Sequence, residues 1–218
     1  MAPTPADVKA VLWDFGGVFT TSPFDAFSRY ERERGLPVDI IRTINTKNPD
    51  TNAWARIERA EVDAATFDKL FEAEAKLLGH DIPGKDVLAL LSGDLRPRVV
   101  AAFKACKAKF QVGCITNNAP TGKGASMSSS PEKAKQMADV FAQFDHVIES
   151  SKAGVRKPDP RIYRMMCEAL AVEPSQCVYL DDLGINLKPA REMGMATIKV
   201  TSENQLLADL ASATGLTF

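Results

Sequence analysis

Short apolar segments alternate along the chain with longer segments in which apolar residues recur at helical spacing. The short segments are rich in Val, Ile and Leu and end near Gly, Asn, Ser or Asp, which is typical of buried strands. The spacers between the later segments are long enough for a crossover helix, so the pattern predicts a parallel sheet with helices on both faces. The predicted strands are 10–14, 110–116, 146–149, 177–181 and 197–200.

Segment 20–95 breaks this alternation because it has no convincing strand and several amphipathic helical patterns. One row of apolar residues in it predicts a largely buried helix face. We therefore predict a helical insertion after the first strand, with 1–19 and 96–218 forming a doubly wound, Rossmann-like α/β core. The row consists of Phe67, Leu70, Phe71 and Leu78, with Glu74 interrupting it and Leu77 beside it.

The composition is that of an ordinary globular protein. A chain of 218 residues is long enough for a well-buried core, and its hydrophobic and charged contents are 45% and 25%. The formal net charge of -1 provides no basic field, so we expect neither nucleic acid nor a membrane as a partner. The N-terminal residues lack the pattern of a signal peptide, and no apolar run is long enough to cross a bilayer.

The four cysteines, Cys106, Cys114, Cys167 and Cys177, show no CxxC spacing. We interpret them as buried thiols of a reduced, cytoplasmic protein rather than as disulfides or a zinc site. The two histidines belong to no recognisable ligand cluster. Segment 119–131 is rich in Gly and Ser but lacks the spacing of a phosphate-binding loop, so we predict only a solvated loop there.

Polar residues stand at or just after the predicted strand ends, or in loops leading into helices. Each one alone is also explained as a helix cap, a turn or a structural carboxylate. In a parallel sheet these positions converge on one edge, where they would assemble three carboxylates, a hydroxyl with neighbouring amides and an ammonium. Such a cluster favours Mg²⁺ and a phosphate, and a carboxylate within it can attack phosphorus. The residues are Asp14, Thr116, Asn117, Lys157, Asp181 and Asp182.

These segments resemble the four motifs of the haloacid dehalogenase-like superfamily, in order along almost the whole chain. The helical insertion stands where that superfamily has a cap domain, so the resemblance makes 20–95 a cap that covers the site and selects the substrate. Segments 14–18, 114–117, 154–163 and 178–182 are similar to motifs one to four, and 180–191 closely resembles the phosphatase-like N-terminal domain of soluble epoxide hydrolases.

The resemblance implies a role for each polar residue. Asp14 would be the nucleophile and a Mg²⁺ ligand, with Asp182 as the second carboxylate ligand and Asp181 in an outer or supporting position at the metal. Thr116 and Lys157 would bind the phosphoryl group, and Lys157 would also offset negative charge in the transition state.

Asn117 would be a donor that positions the phosphoryl group.

The chain departs from the family pattern at Gly16. Most phosphatases of this superfamily have Asp at that position, whose carbonyl binds the metal and whose side chain is the general acid and base. Gly16 keeps the carbonyl as a metal ligand and lacks the acid, which contributes roughly 10²–10⁴-fold to such reactions. The implied enzyme is a Mg²⁺-dependent phosphatase of a small phosphorylated metabolite, with the largest loss of rate for poor leaving groups.

Other functions stay open at this point. A hydrolytic dehalogenase of the same superfamily uses the same Asp on carbon without metal, although no arginine in 20–95 can be assigned to a haloacid carboxylate. A degenerate protein that only binds a phosphate ligand also fits. A receiver domain fits less well because its acidic pair comes first in the chain. The insertion does not identify a ligand, and Trp54 and Phe24 either line the pocket or serve packing.

Overall fold

The computed structural model describes residues 7–120 and 131–218. The strands in this part of the chain are β1 (Ala10–Trp13), β2 (Gln111–Thr116), β3 (His146–Glu149), β4 (Cys177–Asp181) and β5 (Ala196–Lys199). All four neighbouring pairs are parallel, and the order across the sheet is β3-β2-β1-β4-β5. The strands β1 and β4 are buried along their whole length, and apart from Asp181 at the end of β4 they carry no charged residue. The predicted doubly wound parallel sheet is confirmed.

Helices of the described residues fall into an insertion after β1 and a set that alternates with the later strands. The insertion contains α1 (Pro23–Glu33), α2 (Ile40–Thr46), α3 (Ala53–Glu58), α4 (Ala64–Leu77) and α5 (Gly84–Ala89). The rest are α6 (Pro97–Lys107), α7 (Pro131–Phe141), α8 (Ser150–Ala153), α9 (Pro160–Leu170), α10 (Gly184–Glu192) and α11 (Glu203–Thr214).

Two layers of helices cover the sheet. Helices α6, α7 and α11 pack on one face, where Trp13 lies against Phe19 and Phe103 in an aromatic cluster. Helices α9 and α10 cover the other face, where Tyr163 meets Tyr179 edge-on with ring centroids 5.4 Å apart. Because both faces are closed, the carboxyl ends of the strands are where the sheet offers side chains to a ligand.

The insertion packs around an apolar cluster of its own, which contains the fully buried Phe67 and Phe71. The segments that enter and leave it run side by side, with an antiparallel bridge between Thr20 and Leu95. The Arg96 amide also donates to the Phe19 carbonyl at 2.8 Å. We propose that these two adjacent segments mark the boundary between a cap of residues 20–95 and the core.

Element ends differ slightly from the sequence prediction. The first strand ends at Trp13 rather than at 14, although the Asp14 amide still donates to the Leu180 carbonyl of β4 at 2.8 Å before the chain turns. The second strand begins one residue later than predicted, and the fifth lies one residue earlier. Leu77, beside the predicted apolar row, is 86% exposed because α4 turns that side to solvent. The predicted loop 119–131 lies largely outside the described residues.

Candidate active site

The predicted polar residues meet at the carboxyl ends of β1, β2 and β4. In this strand order the chain passes from β1 to one side of the sheet and later returns to β4 on the other side of β1. Such a reversal leaves a crevice at the strand ends, which is where open α/β sheets bind ligands. Asp14 directly follows β1, and Asp181 is the last residue of β4.

Asp14 is a buried carboxylate, 7% exposed, and it has two donors. The Phe15 amide donates to its Oδ1 at 2.6 Å, and the Lys157 ammonium lies 2.8 Å from the same oxygen. Burial raises the pKa of Asp14 well above its usual value, Lys157 lowers it, and the neighbouring charges of Asp181 and Asp182 raise it further. The ionised form needed for nucleophilic attack therefore depends on the positive charges around it.

Lys157 lies between two carboxylates and is 1% exposed. Its Nζ is 2.8 Å from Asp14 Oδ1 and 2.8 Å from Asp181 Oδ2. Burial alone would lower the pKa of Lys157, but the charges of Asp14 and Asp181 raise it above its usual value, so the ammonium stays protonated. Its backbone is held by Asn117, whose Oδ1 accepts from the Lys157 amide at 2.9 Å and whose Nδ2 donates to the Lys157 carbonyl at 3.1 Å.

Asp181 is fully buried and surrounded by donors. Besides Lys157, the Tyr179 hydroxyl donates to its Oδ2 at 2.5 Å and the Leu183 amide to its Oδ1 at 2.8 Å. The Asn186 side-chain amide lies 3.1 Å from both oxygens. With both oxygens occupied by protein donors, Asp181 is suited to hold Lys157 in place rather than to contact a metal directly.

Asp182 differs from its neighbour because it forms no ion pair with the described residues. Burial and the adjacent charge of Asp181 raise the pKa of Asp182 to about 6. Its carboxylate lies against the Gly17 backbone, where a Cβ would come within 2.2 Å of Asp182 Oδ2. Gly17 also has a φ of +74°, so both the turn and the close approach of Asp182 require glycine there.

The carboxylate cluster fits a hard divalent cation, with Asp14 and Asp182 as direct ligands and Asp181 behind them. One oxygen each of Asp14, Asp181 and Asp182 lie within 4.8 Å of one another. A cation would relieve the mutual repulsion that raises the pKa of Asp182, and oxygen-only donor sets of this kind suit Mg²⁺. Gly16, whose carbonyl is the predicted backbone ligand, lies in the turn directly after Asp14, and nothing is within 4 Å of where its Cβ would be.

Thr116 and Asn117 occupy the end of β2 beside this cluster. Thr116 is 3% exposed, and its hydroxyl has no hydrogen-bond partner among residues 7–120 and 131–218, so it is available to a ligand. Both hydrogens of the Asn117 amide are used, one toward the Lys157 carbonyl and one toward Glu58 Oε2 at 3.2 Å. Asn117 therefore clamps Lys157 in this structure, and its direct role toward a phosphoryl group stays a prediction.

Several residues that complete the site had no role predicted from the sequence. Tyr179 reads as a core aromatic, but it stands two residues before Asp181 on the same face of β4, and this spacing was the available signal. Asn186 and Arg156 lie inside the motif-like segments without a role of their own. Glu58, on α3 of the insertion, had no local signal and reaches the site only through the fold.

Comparison with known proteins identifies the family. The family model for haloacid dehalogenase-like hydrolases matches residues 8–194. The chain belongs to this hydrolase family. The resemblance to this family that the four motifs predicted is thereby confirmed.

Two relatives of this haloacid dehalogenase-like hydrolase illustrate different lengths. It is 29% identical over 220 residues to bifunctional epoxide hydrolase 2 of Sus scrofa, covering 96% of this chain and 39% of the other. The chain thus spans about two fifths of that relative. It is 28% identical over 221 residues to phosphatase MT3486 of Mycobacterium tuberculosis, covering 94% of each chain.

Solved structures of low sequence identity share the fold. An enzyme of the family from Bacteroides thetaiotaomicron, in complex with magnesium and inorganic phosphate, is 18% identical with a TM-score of 0.59 and covers 90% of this chain and 96% of its own. L-2-haloacid dehalogenase from Xanthobacter autotrophicus is 22% identical with a TM-score of 0.60, covering 95% and 84%. Among the described residues of this hydrolase, no helix has the length and apolar character to cross a membrane.

Proposed function

We propose that this hydrolase is a Mg²⁺-dependent phosphatase that acts on a small phosphorylated metabolite through an aspartyl phosphate on Asp14. One observation carries the proposal. The Lys157 ammonium bridges Asp14 and Asp181, while Asp182 lies in the same cluster without an ion pair among the described residues. An ammonium beside a nucleophile and a free carboxylate beside both are what a metal-assisted attack on phosphorus needs.

The chain's own residues define two in-line steps. In the first, an Asp14 carboxylate oxygen forms a bond to phosphorus as the bond to the leaving oxygen breaks, and Lys157 neutralises the phosphoryl oxygens. In the second, water attacks the phosphorus of the aspartyl phosphate, which frees Asp14 and releases inorganic phosphate. The Thr116 hydroxyl is placed to donate to a phosphoryl oxygen throughout.

The metal site in this proposal consists of Asp14, Asp182 and the carbonyl of Gly16, with Asp181 in support. Bound Mg²⁺ would supply positive charge to the phosphoryl oxygens and to the carboxylate cluster. The relatives support this assignment at the level of the family. A phosphatase matches along nearly its full length, and a structure of the same fold was solved with magnesium and inorganic phosphate.

A hydrolytic dehalogenase is the second candidate, favoured by Gly16 and by the shared fold with the Xanthobacter enzyme. Two observations weigh against it. A metal-independent reaction would leave the Asp182 carboxylate of the acidic cluster without a role. Four of the six arginines of the insertion also form ion pairs within it, as in the Arg34–Asp86 and Arg59–Glu61 pairs. A protein that only binds a phosphate ligand remains the third candidate.

One assay separates the three candidates. Phosphate release would be measured from p-nitrophenyl phosphate and a panel of sugar phosphates, with Mg²⁺ and with a chelator, for the wild type and for Asp14→Asn. The phosphatase predicts release that is lost on chelation and in the variant. Halide release from a 2-haloacid without metal would replace it by the dehalogenase. Binding of inorganic phosphate with neither product would leave the binding protein.

A further inference from the structure

A single carboxylate of the insertion is buried against the core beside the candidate active site. Glu58 stands on α3, is 7% exposed, and lies 2.6 Å from Arg156 as an ion pair (Arg156 Nε to Glu58 Oε2). The Trp54 indole donates to the other carboxylate oxygen at 2.9 Å, which fixes the orientation of the Glu58 side chain. Trp54 and Glu58 are one helical turn apart, so this second contact lies within the insertion.

Glu58 is connected to Lys157 by two routes. The first passes through Asn117, which donates to Glu58 Oε2 at 3.2 Å and holds the Lys157 backbone at both its amide and its carbonyl. The second passes through Arg156, the chain neighbour of Lys157, which also donates to the Pro49 carbonyl of the insertion at 2.9 Å. The insertion therefore contacts both residues that set the backbone position of Lys157.

The energetics make this contact depend on the position of the insertion. Burial raises the pKa of Glu58, and the charge of Arg156 opposes that rise. A buried carboxylate is tolerated only where charges or donors compensate it, and here the core supplies the Arg156 charge and the Asn117 amide. If the insertion moved off the core, Glu58 would lose the Arg156 ion pair and the Asn117 donor while keeping Trp54, and Asn117 would lose one acceptor.

We propose that Glu58 is a positioning residue, which couples docking of the insertion to the placement of Lys157 beside Asp14. Asn117 transmits the effect through its clamp on the Lys157 backbone, and Arg156 transmits it through the adjoining peptide. This inference rests on the proposed phosphatase for its kinetic consequence, but the coupling itself is a property of the free protein. The rival explanation is that Glu58 only anchors α3.

Amide hydrogen exchange tests the coupling without any turnover. The Lys157 amide is bound by Asn117, and Pro158 and Pro160 have no amide hydrogen, so Lys157 is one of few exchanging sites in segment 156–161. In Glu58→Gln we expect exchange of this segment to accelerate about tenfold, in the range of typical coupling between sites. The matched control is Glu61→Gln, which removes the same charge from an Arg–Glu pair of the same 2.6 Å length inside the insertion. Exchange of 156–161 should be unchanged in the control.

Kinetics with p-nitrophenyl phosphate separates positioning from anchoring. Displacing Lys157 should lower kcat by about 10- to 100-fold with a smaller change in KM, because positioning losses fall on the transition state. An anchoring role would lower kcat only in proportion to the unfolded fraction, measured in the same samples by thermal unfolding. Glu58→Asp, which keeps the charge on a shorter side chain, should recover part of the loss.

The outcomes are distinct from those of the proposed function. Unchanged exchange at 156–161 in folded Glu58→Gln overturns the inference, whether or not the wild type releases phosphate. Accelerated exchange in a protein without phosphatase activity upholds the coupling and rejects the phosphatase. If Glu58→Gln does not fold, Arg156→Lys approaches the same pair from the core side, and the same acceleration is expected.

Discussion

The carboxyl edge of the sheet and the helical insertion contribute to the same site in different ways. At the sheet edge, the register of two neighbouring strands positions the reacting groups. Asp14 follows β1 and Asp181 ends β4 beside it, and Lys157 and local amides hold their side chains. The insertion reaches the site through a few contacts from distant segments, chiefly the buried Glu58 side chain and the Pro49 carbonyl. The candidate chemistry therefore lies on the sheet, while the insertion is attached to it by contacts that can be broken and remade.

The largest expected effect comes from the sheet edge. Asp14→Asn should reduce turnover to the uncatalysed background, because the amide cannot form the covalent intermediate. The fold should survive, since the Asn oxygen can still accept from the Phe15 amide and Lys157. Phosphate release and thermal unfolding of the same preparation check both halves. Substantial remaining activity would remove Asp14 as nucleophile and with it the central role of the sheet edge.

Replacement of Asp181 and of Asp182 by asparagine should have opposite effects on thermal stability. Asp181→Asn leaves the buried Lys157 with one carboxylate and should cost about 3–5 kcal/mol of stability, as broken buried pairs do. That corresponds to a fall in Tm of roughly 10 °C for a chain of this size.

Asp182→Asn is the matched variant, because it removes the same charge from a carboxylate without an ion pair in the described chain. Without metal its Tm should be equal to or above that of the wild type, since burial and Asp181 already raise the pKa of Asp182. The rise in Tm on adding Mg²⁺ to the wild type should be absent from it. A stabilising response to Mg²⁺ that survives in Asp182→Asn would show that the cation binds elsewhere.

A gain of function is expected at Gly16. Gly16→Asp should restore a general acid, and the space around the Gly16 Cα can accept a side chain. Activity toward alkyl phosphates should rise by at least about tenfold and more than toward aryl phosphates, since poor leaving groups need the proton most. Gly17→Asp is the control, because at that position the new side chain would meet Asp182 and the φ of +74° disfavours it. An equal gain for both substrate classes would argue that position 16 does not serve as the acid.

The sheet edge could be predicted from the sequence and the contribution of the insertion could not, for a physical reason. Strand ends have a local pattern, an apolar run followed by a polar residue, so Asp14, Thr116 and Asp181 could be placed at one edge from topology alone. Lys157 follows no strand directly, and it was predicted from its place in a loop leading into a helix.

Glu58 could not be predicted in the same way because its partner is 98 positions away in the chain, across the fold. An isolated carboxylate on a helix is usually a solvated residue, and nothing near it in the sequence indicates Arg156 or Asn117. The hydrogen bonds that occupy both Asp181 oxygens could not be predicted either, since their donors come from the strand, the following turn and α10. Contacts between side chains of distant segments become visible only when the fold is known.

The smallest expected effect is at Trp54, which supports Glu58 from within the insertion. Trp54→Phe keeps an aromatic ring against Phe67 but removes the indole donor to Glu58 Oε1. Loss of one hydrogen bond to a carboxylate should cost about 1.5–3 kcal/mol of stability. Because Arg156 and Asn117 still hold the other oxygen, kcat with p-nitrophenyl phosphate should fall only about threefold, well below the loss in Glu58→Gln. Equal losses in the two variants would mean that the orientation of Glu58 by the insertion, rather than its contact with the core, controls Lys157. The contrast between a sheet edge that performs the chemistry and an insertion that is only attached to it by contacts would then not hold for α3.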